Sequence, residues 1–165
     1  MPDAVLTTTS ASETQRIARL LGEGCIGGES FLLAGPLGAG KTCFTQGLAW
    51  GLGVDEYTHS PTFVLVTEYH GRLTLYHMDL YRIESVAEAI DLGLEEYLTS
   101  GGVTAIEWAD KALEAMPEGL VVDLRPLEGD RRSVSFHALD PKHQALLDQA
   151  VARWERERAQ SQAAL

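Results

Sequence analysis

The most specific chemistry in the chain lies in one short run, Gly35-Pro36-Leu37-Gly38-Ala39-Gly40-Lys41-Thr42. It satisfies the pattern Gly-x-x-x-x-Gly-Lys-Ser/Thr at every position. Each part has a physical reason. Small residues let backbone N–H groups converge on phosphate oxygens, and the following helix N-terminus adds its positive end. A lysine at position 41 can reach the β and γ oxygens of a nucleoside triphosphate, and a hydroxyl at position 42 can bind magnesium. The alternative is a glycine-rich strand–helix turn that happens to carry a surface lysine. The complete match and its flanks argue against that.

A site of this kind needs a carboxylate at the end of a neighbouring apolar strand. Asp79 closes LYHMD and Glu107 closes VTAIE. Either can hold magnesium, directly or through water, or orient an attacking water. Each alone could be a solvated strand-end acid. The residues by themselves do not divide the two roles. Thr62, or Ser60, sits in a Ser-Pro-Thr loop after the P-loop helix, where a hydroxyl can sense a γ-phosphate as switch loops do; ordinary turn chemistry is the competing reading. Trp108 follows Glu107 and is either core or a stacking surface. His77 shares a strand face with Asp79 by the period of two, and reads as a hydrogen-bonded strand histidine before a catalytic base. None of the five histidines has metal-ligand spacing with a cysteine or another histidine. There is no Cys-x-x-Cys, no His-Glu-x-x-His and no serine nucleophile elbow. Without an Asn-Lys-x-Asp sequence, ATP is favoured over GTP.

The elements around these residues have the order a P-loop requires. Phe31 to Ala34 is a short apolar strand, and helical periodicity resumes at Phe44, Leu48 and Leu52. Before it, Ala4 to Thr9 reads as an edge strand. Ser10 and Glu13 have capping-box spacing, and Ile17, Leu20 and Leu21 share a helix face. After it, Phe63–Tyr69 and Leu73–Leu80 form a hairpin about His70-Gly71-Arg72. Ser85 to Leu98 reads as one or two short helices, Val103 to Glu107 as a strand, and Trp108 to Met116 as a short helix. Leu120–Leu127 and Ser133–Leu139 are further strands. A C-terminal helix is expected over about 142–158, with a frayed tail because Glu155 onward lacks an apolar stripe. Mixed helices and strands predict an α/β fold, a P-loop NTPase-like three-layer domain with a central mixed β-sheet flanked by helices. No linker divides residues 1–165, so one domain is expected.

The 165 residues are 45% hydrophobic, enough for a core. No apolar run approaches the roughly 20 residues that cross a bilayer, and the first ten residues do not read as a signal peptide. Cys25 and Cys43 are expected as free thiols in a cytoplasmic protein. The formal net charge of −11 makes a nucleic acid a poor default partner. It serves solubility, or a docking face for a more basic protein. Such a chain must neutralise a triphosphate locally, with a lysine, a magnesium ion and backbone amides.

Together, GPLGAGKT at 35–42, SPTF at 60–63, HMDLYR at 77–82 and IEW at 106–108 resemble the TsaE (YjeE) family. The likeness covers roughly Ser10 to Phe136. It implies a cytoplasmic, magnesium-dependent, weak ATPase accessory to the formation of N6-threonylcarbamoyladenosine at position 37 of tRNAs. It implies a partner, the TsaB–TsaD heterodimer, whose turnover ATP supports; TsaC-type proteins make the threonylcarbamoyl-adenylate beforehand. Carried over, the nucleotide contacts fall on Gly35, Gly38, Ala39, Gly40, Lys41, Thr42 and Cys43. Thr42 and Glu107 fall to the metal, Asp79 to positioning water, and Thr62 to the switch-like loop. Trp108 matches a family tryptophan at the nucleotide site or partner contact. Contacts on the adenine side are implied near Ser10 to Glu13 and at Arg131 or Arg132.

The expected reaction is in-line attack of water on the γ-phosphate, catalysed by Lys41, Asp79 and Thr62 with P-loop amides and magnesium. It is slow in isolation, because no arginine finger is evident unless Arg82 serves. Two rival readings are a small-molecule kinase and a nucleotide-gated protein-binding module. The acidic stretch from Arg82 to Gly102 is unlike an arginine-rich kinase lid.

Overall fold

The apolar run around Phe31 becomes the middle strand of the sheet. The computed structural model describes residues 2–59, 66–111, 113–116 and 118–163. The strands are β1 (Ala4–Thr8), β2 (Ser30–Ala34), β3 (Val66–Tyr69), β4 (Leu75–Asp79), β5 (Val103–Glu107), β6 (Leu120–Pro126) and β7 (Arg132–Ala138). The helices are α1 (Ala11–Gly24), α2 (Lys41–Gly51), α3 (Val86–Asp91), α4 (Leu94–Leu98) and α5 (Pro141–Ala163). Among the described residues the strands form one sheet in the order β1-β7-β6-β2-β5-β4-β3. β2 is parallel to β5 and β6, and β4 to β5; the β1–β7, β6–β7 and β3–β4 pairs are antiparallel. The sheet is therefore mixed, as the hairpins predicted.

A strand covered on both faces reads as continuous apolar sequence. Phe31 and Leu33 face one core with Ile17 of α1, Phe44 of α2, and Leu147 and Trp154 of α5. Leu32 faces the other with Met78, Ala89 of α3, Leu94 of α4 and Ile106. Two helical layers thus sandwich the sheet, which is the expected three-layer α/β arrangement.

Helices α1 and α2 pack unusually closely because glycines face backbone. A Cβ on Gly47 would lie 2.2 Å from the Gln15 carbonyl oxygen, and one on Gly51 would lie 2.3 Å from that of Arg19. The two helices run in the same direction, so the N-terminus of α2 lies beside that of α1.

Two details differ from the sequence reading, and a third decides between its alternatives. The segment after β5 is two short 3-10 turns, Ala109–Lys111 and Leu113–Ala115, and not one helix from Trp108. Trp108 has φ of 60°, the only positive value among the described non-glycine residues. That left-handed residue cannot start a right-handed helix. Ser85 to Leu98 resolves into two helices broken at Gly93, whose φ is 83°. Helix α5 runs on to Ala163, beyond the expected end at 158. Its last turns are tied to α1 by Arg16–Glu157 and Arg158–Glu13 ion pairs, not by an apolar stripe. No helix among the described residues is long and apolar enough to cross a membrane.

Candidate functional site

At the carboxyl end of β2 the chain turns through Gly35, Gly38 and Gly40, all at positive φ, and enters α2 at Lys41. Gly35 is further constrained, since a Cβ there would lie 2.3 Å from the Leu124 carbonyl oxygen. The N-cap Gly40 supplies no side-chain hydrogen bond to the helix. The first-turn amides of α2 therefore point toward the cleft without a capping side chain, an arrangement that suits an anion. Arg132, on β7, braces the turn: its Nε donates to the Ala39 carbonyl at 3.2 Å.

Strand register brings the acids to the same place. Leu33 of β2 pairs with Glu107 of β5, and Glu107 pairs with Asp79 of β4. The P-loop thus leaves the sheet beside both carboxylates, which are 4% and 3% exposed. The Thr42 hydroxyl lies 3.2 Å from each oxygen of Glu107. Asp79 Oδ1 accepts the Tyr81 amide at 2.8 Å. His77 Nε2 lies 2.6 Å from Glu107 Oε2, completely buried.

Lys41 is folded onto its own loop. Its ammonium donates to the carbonyls of Gly35 at 2.7 Å and Pro36 at 3.0 Å. It also sits 3.9 Å from the centroid of the Trp108 ring, within cation–π range. Burial pulls the Lys41 ammonium below the ordinary lysine pKa, against the upward pull of Glu107, Asp79 and Asp110. Tyr81 backs the indole, with ring centroids 5.0 Å apart. The left-handed turn at Trp108 aims the indole over the lysine.

These groups surround a cleft of about 470 Å³ lined by Gly38, Gly40, Lys41, Thr42, Cys43, Asp79 and Glu107 together with Leu37, Tyr81 and Trp108. Gly35 and Ala39 shape the loop without lining the cleft. Ser10 and Arg132 also stand outside the lining. Ser10 caps α1 by accepting the Glu13 amide at 3.2 Å, and Arg132 is committed to the carbonyls of Ala39, Gly129 and Arg131. Helix α1 nonetheless starts beside the cleft, since Cys43 Sγ donates to the Ala11 carbonyl at 3.5 Å. Thr62 and Ser60 lie outside the described residues.

The donor set fits a hard cation. Among the described residues no three His, Cys, Asp or Glu side chains converge as a cage. One hydroxyl and two buried carboxylates suit magnesium, which binds through one or two carboxylates and takes its other ligands from phosphates and water. The charges agree: two buried acids face one buried lysine, which leaves room for added positive charge. Sequence reasoning missed Tyr81 as a support for Trp108, although it lies inside HMDLYR. It found His77 as a hydrogen-bonded strand histidine but could not name its partner, because the β4–β5 register is not a local property.

A model of the family "Threonylcarbamoyl adenosine biosynthesis protein TsaE" matches residues 8–134. A tRNA threonylcarbamoyladenosine biosynthesis protein TsaE of Treponema pallidum is 45% identical over 131 residues, covering 76% of this chain and 94% of its own. The protein of that name from Bacillus subtilis is 41% identical over 144 residues, covering 86% and 90%. A crystal structure of Bacillus subtilis YdiB superposes with a TM-score of 0.78 at 33% identity, covering 93% of this chain and 97% of that one.

Proposed function

The chain belongs to the TsaE family of tRNA threonylcarbamoyladenosine biosynthesis, and we propose that it acts there as a magnesium-dependent ATP-binding protein that hydrolyses ATP slowly. The observation that carries this reading is the convergence of Lys41, Thr42, Asp79 and Glu107 where the P-loop leaves the sheet. The amides of residues 38–42 and the α2 N-terminus hold the β and γ phosphates. Lys41 leaves the Gly35 and Pro36 carbonyls and pairs with phosphate oxygens instead. Thr42 and Glu107 would hold magnesium, and Asp79 would orient the attacking water. When bound, magnesium supplies positive charge to the phosphate oxygens as negative charge moves onto the leaving group. Thr62 is assigned to sensing the γ-phosphate on the strength of its Ser-Pro-Thr sequence. Arg132 acts on the nucleotide through the Ala39 carbonyl and not through the base.

Hydrolysis is slow because the site lacks an arginine aimed at the γ-phosphate among the cleft-lining residues. Its mouth carries exposed apolar groups, Leu37 at 81% and Tyr81 at 49%. These suit coverage by a partner protein, which we assign to a TsaB–TsaD-like heterodimer in the cytoplasm. The self-bound Lys41 also favours a second reading, a nucleotide-gated binding module in which hydrolysis is incidental. A Thr42→Ala variant that still restores tRNA modification would select that module.

The test pairs binding with complementation. Lys41→Ala should lose ATP affinity in calorimetry. A strain lacking the gene should lose threonylcarbamoyladenosine by nucleoside mass analysis and regain it with the wild type but not with Lys41→Ala or Glu107→Ala. Unchanged ATP affinity in Lys41→Ala sinks the nucleotide site. Normal modification in the deletion strain, with no other supplier, sinks the pathway.

A further inference from the structure

His77 is completely buried, yet its imidazole makes only one polar contact among the described residues. That contact is the 2.6 Å bond from Nε2 to Glu107 Oε2. Its other nitrogen, Nδ1, has no hydrogen-bond partner among the described residues. A buried polar atom left unpaired needs a reason. The arrangement is readable as chemistry. A carboxylate only accepts, so Nε2 must be the donor. Nδ1 is left without a partner, so the one polar commitment of the imidazole is to Glu107. The imidazole is thus a hydrogen-bond donor to Glu107 through Nε2.

Strand geometry explains why His77 reaches that atom. Across the β4–β5 ladder His77 pairs with Ala105, whose methyl leaves space above the sheet, and Glu107 is the next residue on the same face of β5. Two side chains therefore converge on one carboxylate. Thr42 approaches from the P-loop helix, at 3.2 Å, and His77 from inside the sheet, at 2.6 Å. Without His77, Glu107 could rotate about its side-chain bonds within the cleft. With it, Oε2 is committed to the imidazole, and Oε1 has only the Thr42 hydroxyl, which lies equally close to both oxygens.

We infer that His77 is a positioning residue for the metal site: it fixes the Glu107 carboxylate in the orientation that receives magnesium, and so sets how much magnesium the nucleotide complex requires. The inference rests on the proposal that Glu107 holds the metal. Hydrogen-bonding partners of ligating side chains commonly matter by about 10- to 100-fold in metal affinity.

The experiment is a magnesium chloride titration of the full-length protein with a non-hydrolysable ATP analogue, read by tryptophan fluorescence or calorimetry. Affinity for the analogue in EDTA is measured alongside, with thermal unfolding as a folding control. His77→Leu keeps an apolar volume and removes the donor; His77→Gln can return an N–H near the Nε2 position. The magnesium needed for half-saturation should rise about 10- to 100-fold in His77→Leu. It should return to within a few-fold of wild type in His77→Gln, with affinity in EDTA unchanged in both. In a Glu107→Gln background, His77→Leu should add nothing. A half-saturation value within twofold of wild type in His77→Leu overturns the inference. So does an equal rise in His77→Leu and His77→Gln, which would mean packing and not donation. Should His77→Leu fail to fold, the comparison of His77→Gln and His77→Asn decides: Asn is too short to present its N–H to Oε2, and equal magnesium requirements in the two overturn the inference. Glu107→Gln separates the underlying reading. If it leaves the magnesium requirement unchanged, the metal assignment itself has failed; if it raises it while His77→Leu does not, only the role of His77 has.

Discussion

Replacing Gly47 with alanine tests whether the spacing of α1 and α2 holds the P-loop helix in place. The added Cβ would lie 2.2 Å from the Gln15 carbonyl oxygen and 2.7 Å from its Cα. Ordinary contact begins near 3.4 Å, so that line must lengthen by 3.4 − 2.2, or 1.2 Å. The obstacle is helix backbone, which cannot rotate away as a side chain can. The change therefore falls at the upper end of the overpacking range, about 3 kcal/mol. Alanine returns about 1 kcal/mol through its helix propensity, leaving a net loss of about 2 kcal/mol. For a chain of this length that is a fall in Tm of about 4–8 °C. Gly24→Ala is the control. Its Cβ meets only the Leu146 Cδ1 atom, at 2.7 Å, the mobile end of a side chain. It should cost under about 1 kcal/mol. Calorimetric melts of the two variants check this. Because Lys41 and Thr42 begin α2, Gly47→Ala should also weaken ATP binding. A melt at or above wild type, or equal losses at Gly47 and Gly24, would refute the argument.

Three other perturbations probe separate links. Arg132→Ala removes the guanidinium bond to the Ala39 carbonyl. A bond from a charged donor of this kind contributes about 1.5 kcal/mol to stability, so Tm should fall by about 3–6 °C, and ATP affinity by calorimetry should fall as the loop loses its brace. The Arg16 guanidinium holds the Glu157 carboxyl below its ordinary value of 4.5. Its folded pKa is thus below the unfolded one, so the stabilisation is complete above pH 4.5 and fades as pH falls through the folded value. Glu157→Gln should lower Tm by up to about 2–4 °C at pH 7, the scale of a half-exposed pair, and the difference should shrink as pH falls below 4.5; a constant difference across that range would count against the pair. Finally, burial raises the Cys25 thiol, and Glu29 adds to it, while burial raises Cys43 more modestly. With iodoacetamide at pH 8, mass analysis should find Cys25 unmodified in the folded protein and Cys43 slowly modified. A bound ATP analogue should slow Cys43 further, because that residue lines the cleft.

How much of this was legible in the chain depends on whether a feature is local. The P-loop was legible because its glycines, lysine and threonine are consecutive, and the loop geometry follows from their types. Asp79 and Glu107 were legible as strand-end acids, since an apolar run and its last residue are also local. That they are neighbours was not, because it needs β4 and β5 to pair in a particular register across the chain between them. The same register hides the bond from His77 to Glu107. The far end of α5 was misjudged for a different reason. An apolar stripe was sought beyond Glu155, but Arg16, Glu13 and Glu23 on α1 pair with Glu157, Arg158 and Arg153 instead. Trp108 misled the reading of the next segment because a helix-compatible sequence begins at a left-handed residue.

That left-handed residue connects fold to chemistry. It turns the chain away at the end of β5, immediately after the acid Glu107, and in doing so lays the Trp108 indole over the Lys41 ammonium. Lys41 is held by two carbonyls and a ring, all neutral groups, and not by the carboxylates beside it. Had the lysine paired directly with Glu107 or Asp79, phosphate would have to break a buried ion pair, which is costly because it leaves a buried charge exposed to the low-dielectric interior. Carbonyl and ring contacts are weaker holds on a cation, and an incoming phosphate can replace them with a charge-assisted bond. Glu107 is meanwhile bonded by Thr42 and His77 and not by the lysine. The chain thus keeps its cation and its carboxylates apart, and under the proposed function that separation lets one small cleft suit both a phosphate and a metal ion.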